Sequence, residues 1–122
     1  ALEIKFLYKK TMAFVTTISK QISVGQTGND IFKHASELFD HQLLPELLQK
    51  NIIQAPVSLK RNIGHWVDDC VEGTPFYVDT QRRINIGDII CIECPLGTTA
   101  LDISINHEIQ GIMTPTGFSR FY

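Results

Sequence analysis

Cys91-Ile92-Glu93-Cys94-Pro95 sets two thiols three residues apart, the spacing from which a tight turn offers two thiolates to one zinc ion. Cys70 with His65 or His107 could complete a tetrahedral set. No second C-x-x-C pair and no regularly spaced histidine pair accompanies them, and on an extended strand Cys91 and Cys94 point to opposite faces. The weightier reading is therefore of buried, structural thiols. Three cysteines cannot all pair within one chain, which argues against a disulfide framework and for a reducing compartment. His65, Asp68, Asp69 and Cys70 crowd a base, two acids and a nucleophile into six residues. Catalytic groups are assembled in space rather than along the chain, so no catalytic residue is assigned from this run. Gly25-x-x-Gly28 lacks the lysine of a nucleotide loop, and no cofactor is expected.

A second set of residues is of the kind that binds partners. Trp66, Phe118, Phe121 and Tyr122 are aromatic, the type that anchors interfaces when exposed. Charge is divided along the chain: residues 1–61 carry eight Lys/Arg against five Asp/Glu, and residues 62–122 three against eight. Lys9 and Lys10 on one side and Asp68 and Asp69 on the other would suit head-to-tail self-association or an oppositely charged protein. The acidic half argues against a nucleic-acid footprint.

These residues need elements to hold them. Leu2, Ile4, Phe6 and Tyr8 alternate with more polar neighbours, the period of a half-buried strand, and the β-branched run Ala13 to Val24 reads as its hairpin partner across Lys9-Lys10-Thr11. Thr27 with Asp30 forms a capping box for a helix whose apolar stripe is Ile31, Ala35, Leu38 and Phe39. Leu43 to Lys50 predicts a short second helix begun at Pro45. Short strands are expected around Val57–Leu59, Gly64–Val67 and Pro75–Val78, and a longer one over Ile84–Ile92, entered through Gly87-Asp88. Beyond Pro95, Leu101 to Ile105 and Ile109 to Ile112 predict a hairpin reversing at Asn106-His107.

Thr27-Gly28-Asn29-Asp30-Ile31-Phe32 at the helix start, Trp66-Val67-Asp68, and Ile84-Asn-Ile-Gly-Asp-Ile-Ile90 before the last core strand together resemble the ubiquitin-like superfamily, in particular the first lobe of FERM-type domains and the small ubiquitin-like proteins of bacterial secretion systems. The resemblance spans residues 2–94. It implies an α+β fold: a β-grasp-like mixed sheet with one main helix packed on it, followed over residues 95–122 by an extra C-terminal β-hairpin. The end Ser119-Arg120-Phe121-Tyr122 lacks the Gly-Gly tail of a conjugated modifier.

With 122 residues, the chain is the size of one domain, 1–122. Its apolar stretches are far shorter than a membrane span, and residues 1–20 do not read as a secretory signal, so a soluble cytoplasmic protein is expected. The functional expectation is a non-catalytic protein-interaction or scaffolding module, not an enzyme, whose partner is another protein or a further copy of itself. The alternatives are a charge-complementary module of the PB1 kind and a zinc-supported or cysteine-dependent domain built on Cys70, Cys91 and Cys94.

Overall fold

The computed structural model describes residues 2–51, 63–69, 71–98 and 103–122. It opens with helix α1, Leu2–Gln21, where a hairpin was expected. The reason lies in which residues are buried. Leu7, Thr11, Phe14, Val15, Ile18 and Ile22 are all within 4% of full burial. Their spacings of three and four are the helical period. No glycine or proline interrupts residues 1–24 to make the corner that a hairpin requires. The β-branched residues that favour a strand are tolerated because the helix is stabilised by what its stripe covers. Its polar residues are satisfied locally: Thr11 Oγ1 donates to the Leu7 carbonyl at 2.9 Å and Ser19 Oγ to that of Thr16 at 2.7 Å.

Helix α2, Gly28–Leu38, begins as the sequence predicts. The Asp30 amide donates to Thr27 Oγ1 at 3.0 Å and the Thr27 amide to Asp30 Oδ2 at 2.9 Å. These backbone and hydroxyl donors hold the Asp30 carboxyl below the usual carboxylate range. A π-helical turn, Phe39–Leu43, then leads into α3, Leu44–Gln49. Pro45 has no N–H to continue the four-residue ladder, and the chain widens by one residue just before it.

The remaining chain forms one antiparallel sheet of five strands: β1 (Gly64–Asp68), β2 (Val71–Pro75), β3 (Ile89–Thr98), β4 (Ile103–Thr114) and β5 (Gly117–Arg120), in the order β2-β1-β3-β4-β5. The coarse expectation of an α+β chain holds. The mixed β-grasp sheet does not: every pairing is antiparallel, and no strand precedes α2 among the described residues. Residues 84–88 form no strand, because Asp88 turns the chain, its Oδ2 accepting from the Asn85 amide at 2.8 Å with Gly87 at φ 90°. Asn106 and His107, read as a reversal, lie inside β4, and the actual turn is at Thr114–Gly117. Strand β3 runs straight through the 94/95 boundary proposed between core and extension. Pro75 ends β2 and Phe76–Val78 leaves the sheet in a bend rather than forming a strand, with Phe76 fully buried. The Val57–Leu59 strand falls outside the described residues.

The helices cover one face of this sheet. Phe14, Ile18, Ile31, Phe39 and Leu47 pack with Trp66, Ile90, Ile92, Cys94, Ile109 and Met113 into a single cluster, and Phe14 meets Phe39 edge to face at 6.2 Å. His107 also belongs to the helix side, its ring against Tyr8 of α1 at 4.3 Å. Strand alternation then sends His65, Cys91, Glu93 and Glu108 to the opposite face.

Candidate metal centre

Four of the strands contribute to that face. His65 on β1 is the cross-strand partner of Cys91 on β3, and Glu93, two residues along β3, is the partner of Glu108 on β4. Glu72 on β2 pairs with Val67, two residues from His65. The β1–β2 register shifts between His65 and Val67, the kind of local irregularity that re-aims a side chain.

The orientation of His65 is fixed. Its Nδ1 lies 2.8 Å from the Trp66 carbonyl oxygen, which can only accept, so Nδ1 carries the proton and donates. In the neutral ring this leaves the Nε2 lone pair facing Glu93 Oε2, 3.8 Å away. Cys91 Sγ lies 3.9 Å from the same oxygen. One ligand atom from each of His65, Cys91 and Glu93 falls within 4.8 Å of the others. In a tetrahedral zinc site, bond lengths of about 2.0–2.3 Å put neighbouring donors about 3.3–3.8 Å apart. The two separations to Glu93 Oε2, 3.8 and 3.9 Å, need to contract by only a fraction of an ångström.

The electrostatics favour a cation. Burial pushes the Cys91 thiol up to about 12, and the charges of Glu108, Glu93 and Glu72 push in the same direction. The Glu93 carboxyl is raised from its ordinary range, first by burial and then by Glu108 and Glu72, with His65 acting in the opposite sense. Each group resists becoming negative beside the others, and a divalent ion among them would reverse that resistance.

The other residues singled out from the sequence fall elsewhere. Cys94 is buried in the core on the helix side, three positions from Cys91 and on the other face, its thiol pushed up to about 12 by burial alone. Cys70 lies outside the described residues. Trp66 is 1% exposed. Its Nε1 donates to Asp88 Oδ2 at 2.9 Å, its ring packs on Phe76 at 4.7 Å, and the Arg82 guanidinium covers it at 4.5 Å. It is therefore a core residue rather than an interface anchor. Of the charges invoked for self-association, two are engaged within the chain: Lys10 with Glu46 at 2.6 Å, and Asp68 with the two terminal Arg82 nitrogens at 2.9 and 3.0 Å, which holds its carboxyl low. Asp69 shapes the β1–β2 turn at φ 51°. Lys9 is exposed, Phe118 packs against the core edge, and Phe121 and Tyr122 project outward at 50% and 93% exposure.

Glu93 and Glu108 were missed. The two-residue step from Cys91 to Glu93 places both on one face of a strand and was a usable signal. The pairing of His65 with Cys91 and of Glu93 with Glu108 is a matter of strand register, which the sequence does not display.

No family model and no curated protein matches the chain. Solved structures do. The prolidase from Pyrococcus furiosus superposes with a TM-score of 0.71 at 14% identity, over 95% of this chain and 31% of that one. The fold is shared with Xaa-Pro peptidases. X-Pro aminopeptidase from Thermotoga maritima MSB8 gives a TM-score of 0.73, and an Xaa-Pro dipeptidase from Bacillus anthracis gives 0.71. Both are 14% identical and are matched over 98% of this chain and 31% of theirs. The chain thus spans about a third of the length of these pita-bread peptidases. This finding overturns the ubiquitin-like resemblance, since 95–98% of the chain superposes on part of a peptidase fold. It also runs against the expectation of a non-catalytic interaction module and a non-enzyme, since the structures that match are of enzymes. Among the described residues no helix is long and apolar enough to cross a membrane.

Proposed function

We propose that this chain is the metal-holding portion of a peptidase-type hydrolase, with His65 and Glu93 as ligands and Glu108 beside them. The observation that carries the reading is the approach of His65 Nε2 to Glu93 Oε2, two groups whose lone pairs face one another on the side of the sheet away from the core, in a fold shared with peptidases. A divalent ion held there would act as a Lewis acid on a peptide carbonyl and lower the pKa of a bound water.

The chain's own residues prepare for that chemistry. The Trp66 carbonyl keeps His65 in the tautomer that presents Nε2. Cross-strand pairing holds Glu108 opposite Glu93, where a carboxylate can bind the ion or accept a proton from an attacking water. Core packing behind Trp66, Ile90 and Ile92 fixes the strands that carry these groups, so the donors are preorganised rather than gathered by the ligand. The names of the matching structures give the substrate class to try: peptides with proline in the second position.

Titration calorimetry with zinc and manganese on the protein as it occurs tests the reading. Stoichiometric binding is expected, abolished in His65→Ala and Glu93→Gln with the circular dichroism spectrum unchanged, together with His65-dependent hydrolysis of an Xaa-Pro dipeptide. A wild-type protein that binds neither ion overturns it.

A further inference from the structure

Cys91 is not needed for a histidine–carboxylate centre, yet it stands within it. It shares a strand face with Glu93, pairs across β1–β3 with His65, and places Sγ 3.9 Å from the carboxylate oxygen that His65 also approaches. It is 1% exposed but is not part of the hydrophobic cluster under the helices. It lies instead on the sheet face that carries His65 and Glu93, where the charges of Glu108, Glu93 and Glu72 act on it. A buried thiol gains little from carboxylate neighbours unless a cation is shared among them.

We infer that Cys91 is a ligand of the same centre, and that its sulfur makes the site select a thiolophilic divalent ion of the zinc and cobalt class over manganese or magnesium. The inference rests on the metal-centre reading above and adds the identity of the ion. The donor set becomes one imidazole nitrogen, one thiolate sulfur and one or two carboxylate oxygens. Sulfur ligands shift preference toward zinc-like ions, whereas an all-oxygen and imidazole set suits manganese and magnesium. On binding, the Sγ–H bond breaks, its proton passes to solvent, and the sulfur lone pair forms the bond to the ion, with no change of oxidation state. This set keeps Cys91 and His65 from the set suggested by spacing but not Cys94, which faces the core.

Cobalt(II) is the probe. Added to the metal-free wild-type chain, it is expected to give visible d–d bands and a near-ultraviolet thiolate-to-cobalt charge-transfer band. Cys91→Ser is expected to lose the near-ultraviolet band, keep the visible bands, and bind zinc roughly tenfold or more weakly. Cys94→Ser is expected to keep both sets of bands. Cadmium NMR of the wild type, which needs no variant to fold, is expected to show a resonance displaced downfield by one sulfur ligand. Visible bands without a charge-transfer band, or a cadmium resonance at the nitrogen–oxygen position, overturn the Cys91 assignment and leave the centre standing. Absence of any cobalt spectrum overturns both.

Discussion

Gly64→Ala tests the joint between fold and site. Gly64 opens β1, pairs with Ile92 across to β3, and has φ 150°, a backbone region that L-residues rarely adopt. A Cβ there would run into the Cys91 carbonyl oxygen, with Ile92 Cα at 3.0 Å and the Cys91 carbonyl carbon at 3.1 Å. All three obstacles are backbone, so no side-chain rotation relieves them. The strands normally lie about 4.8 Å apart, and relief requires them to part where His65 pairs with Cys91. Backbone strain of about 1–3 kcal/mol plus a weakened ladder bond of about 1 kcal/mol gives roughly 2–4 kcal/mol of destabilisation. At roughly 3–5 °C per kcal/mol for a chain of this size, the melting temperature falls by about 6–20 °C. Because the displacement separates Cys91 and His65, zinc affinity falls by roughly tenfold or more. Chemical denaturation and zinc titration of the same preparation read both. A Gly64→Ala protein within 2 °C of wild type and with unchanged zinc affinity would refute the claim that this close approach fixes the site.

Other substitutions test other parts. Leu7→Ala, at a fully buried position of α1, is expected to cost about 2–5 kcal/mol in urea unfolding, whereas Tyr8→Ala, half exposed, should cost less. A reversed order would contradict the helical assignment. Thr27→Ala removes the hydroxyl that caps α2 and should lose about 0.5–2 kcal/mol. Asp30 is a lowered carboxyl, so its contribution is present above the unfolded pKa and is lost as pH falls through the folded one; Asp30→Asn should therefore flatten the acid limb of a stability–pH curve. Asp88→Ala leaves the Nε1 of Trp66, the chain's single tryptophan, without its acceptor. A red-shifted emission spectrum and a loss of about 1–3 kcal/mol are expected.

How much of this was legible depended on the range of the signal. The α2 cap was readable because Thr27 and Asp30 satisfy each other three residues apart, and the β1 strand because Gly64 and the alternation of His65, Trp66 and Val67 are local. Helix α1 was misread because Val15, Ile18 and Ile22 have strand propensity, and only the tertiary burial of Leu7, Thr11 and Phe14 on the same stripe decides otherwise. The site was half visible. His65 and Cys91 were noticed for their chemistry, but paired with Cys70 and Cys94 because sequence proximity stood in for register. Trp66 was named as a candidate for partner binding with a core position as the weightier reading, and the core position holds, its indole N–H bonded to Asp88, 22 residues away. The edge-to-face contact with Phe76 likewise appears only once β1 and the bend after β2 are folded.

Glu93 decides whether the open face is a site or merely a polar surface. Its carboxyl is raised by burial and by Glu108 and Glu72 more than His65 lowers it, so its charged form is less favourable in the folded chain than in the unfolded one. The sign follows: the contribution of its neutral form is fully present below the unfolded pKa and disappears as pH rises through the raised folded value. At neutral pH the metal-free chain therefore carries a penalty at Glu93 that a neutral isostere would lift. Glu93→Gln should melt higher than wild type without metal at pH 7, and the gap should close as the pH is lowered below the usual carboxylate range. With saturating zinc the order should reverse, because wild type gains the binding free energy and the variant does not. A residue kept only for structure would not show this inversion, since removing it would shift both states alike. Differential scanning fluorimetry with and without zinc reads all four conditions. If Glu93→Gln is less stable than wild type in the metal-free state at pH 7, the carboxylate is a structural partner of His65, and the functional reading of this face fails.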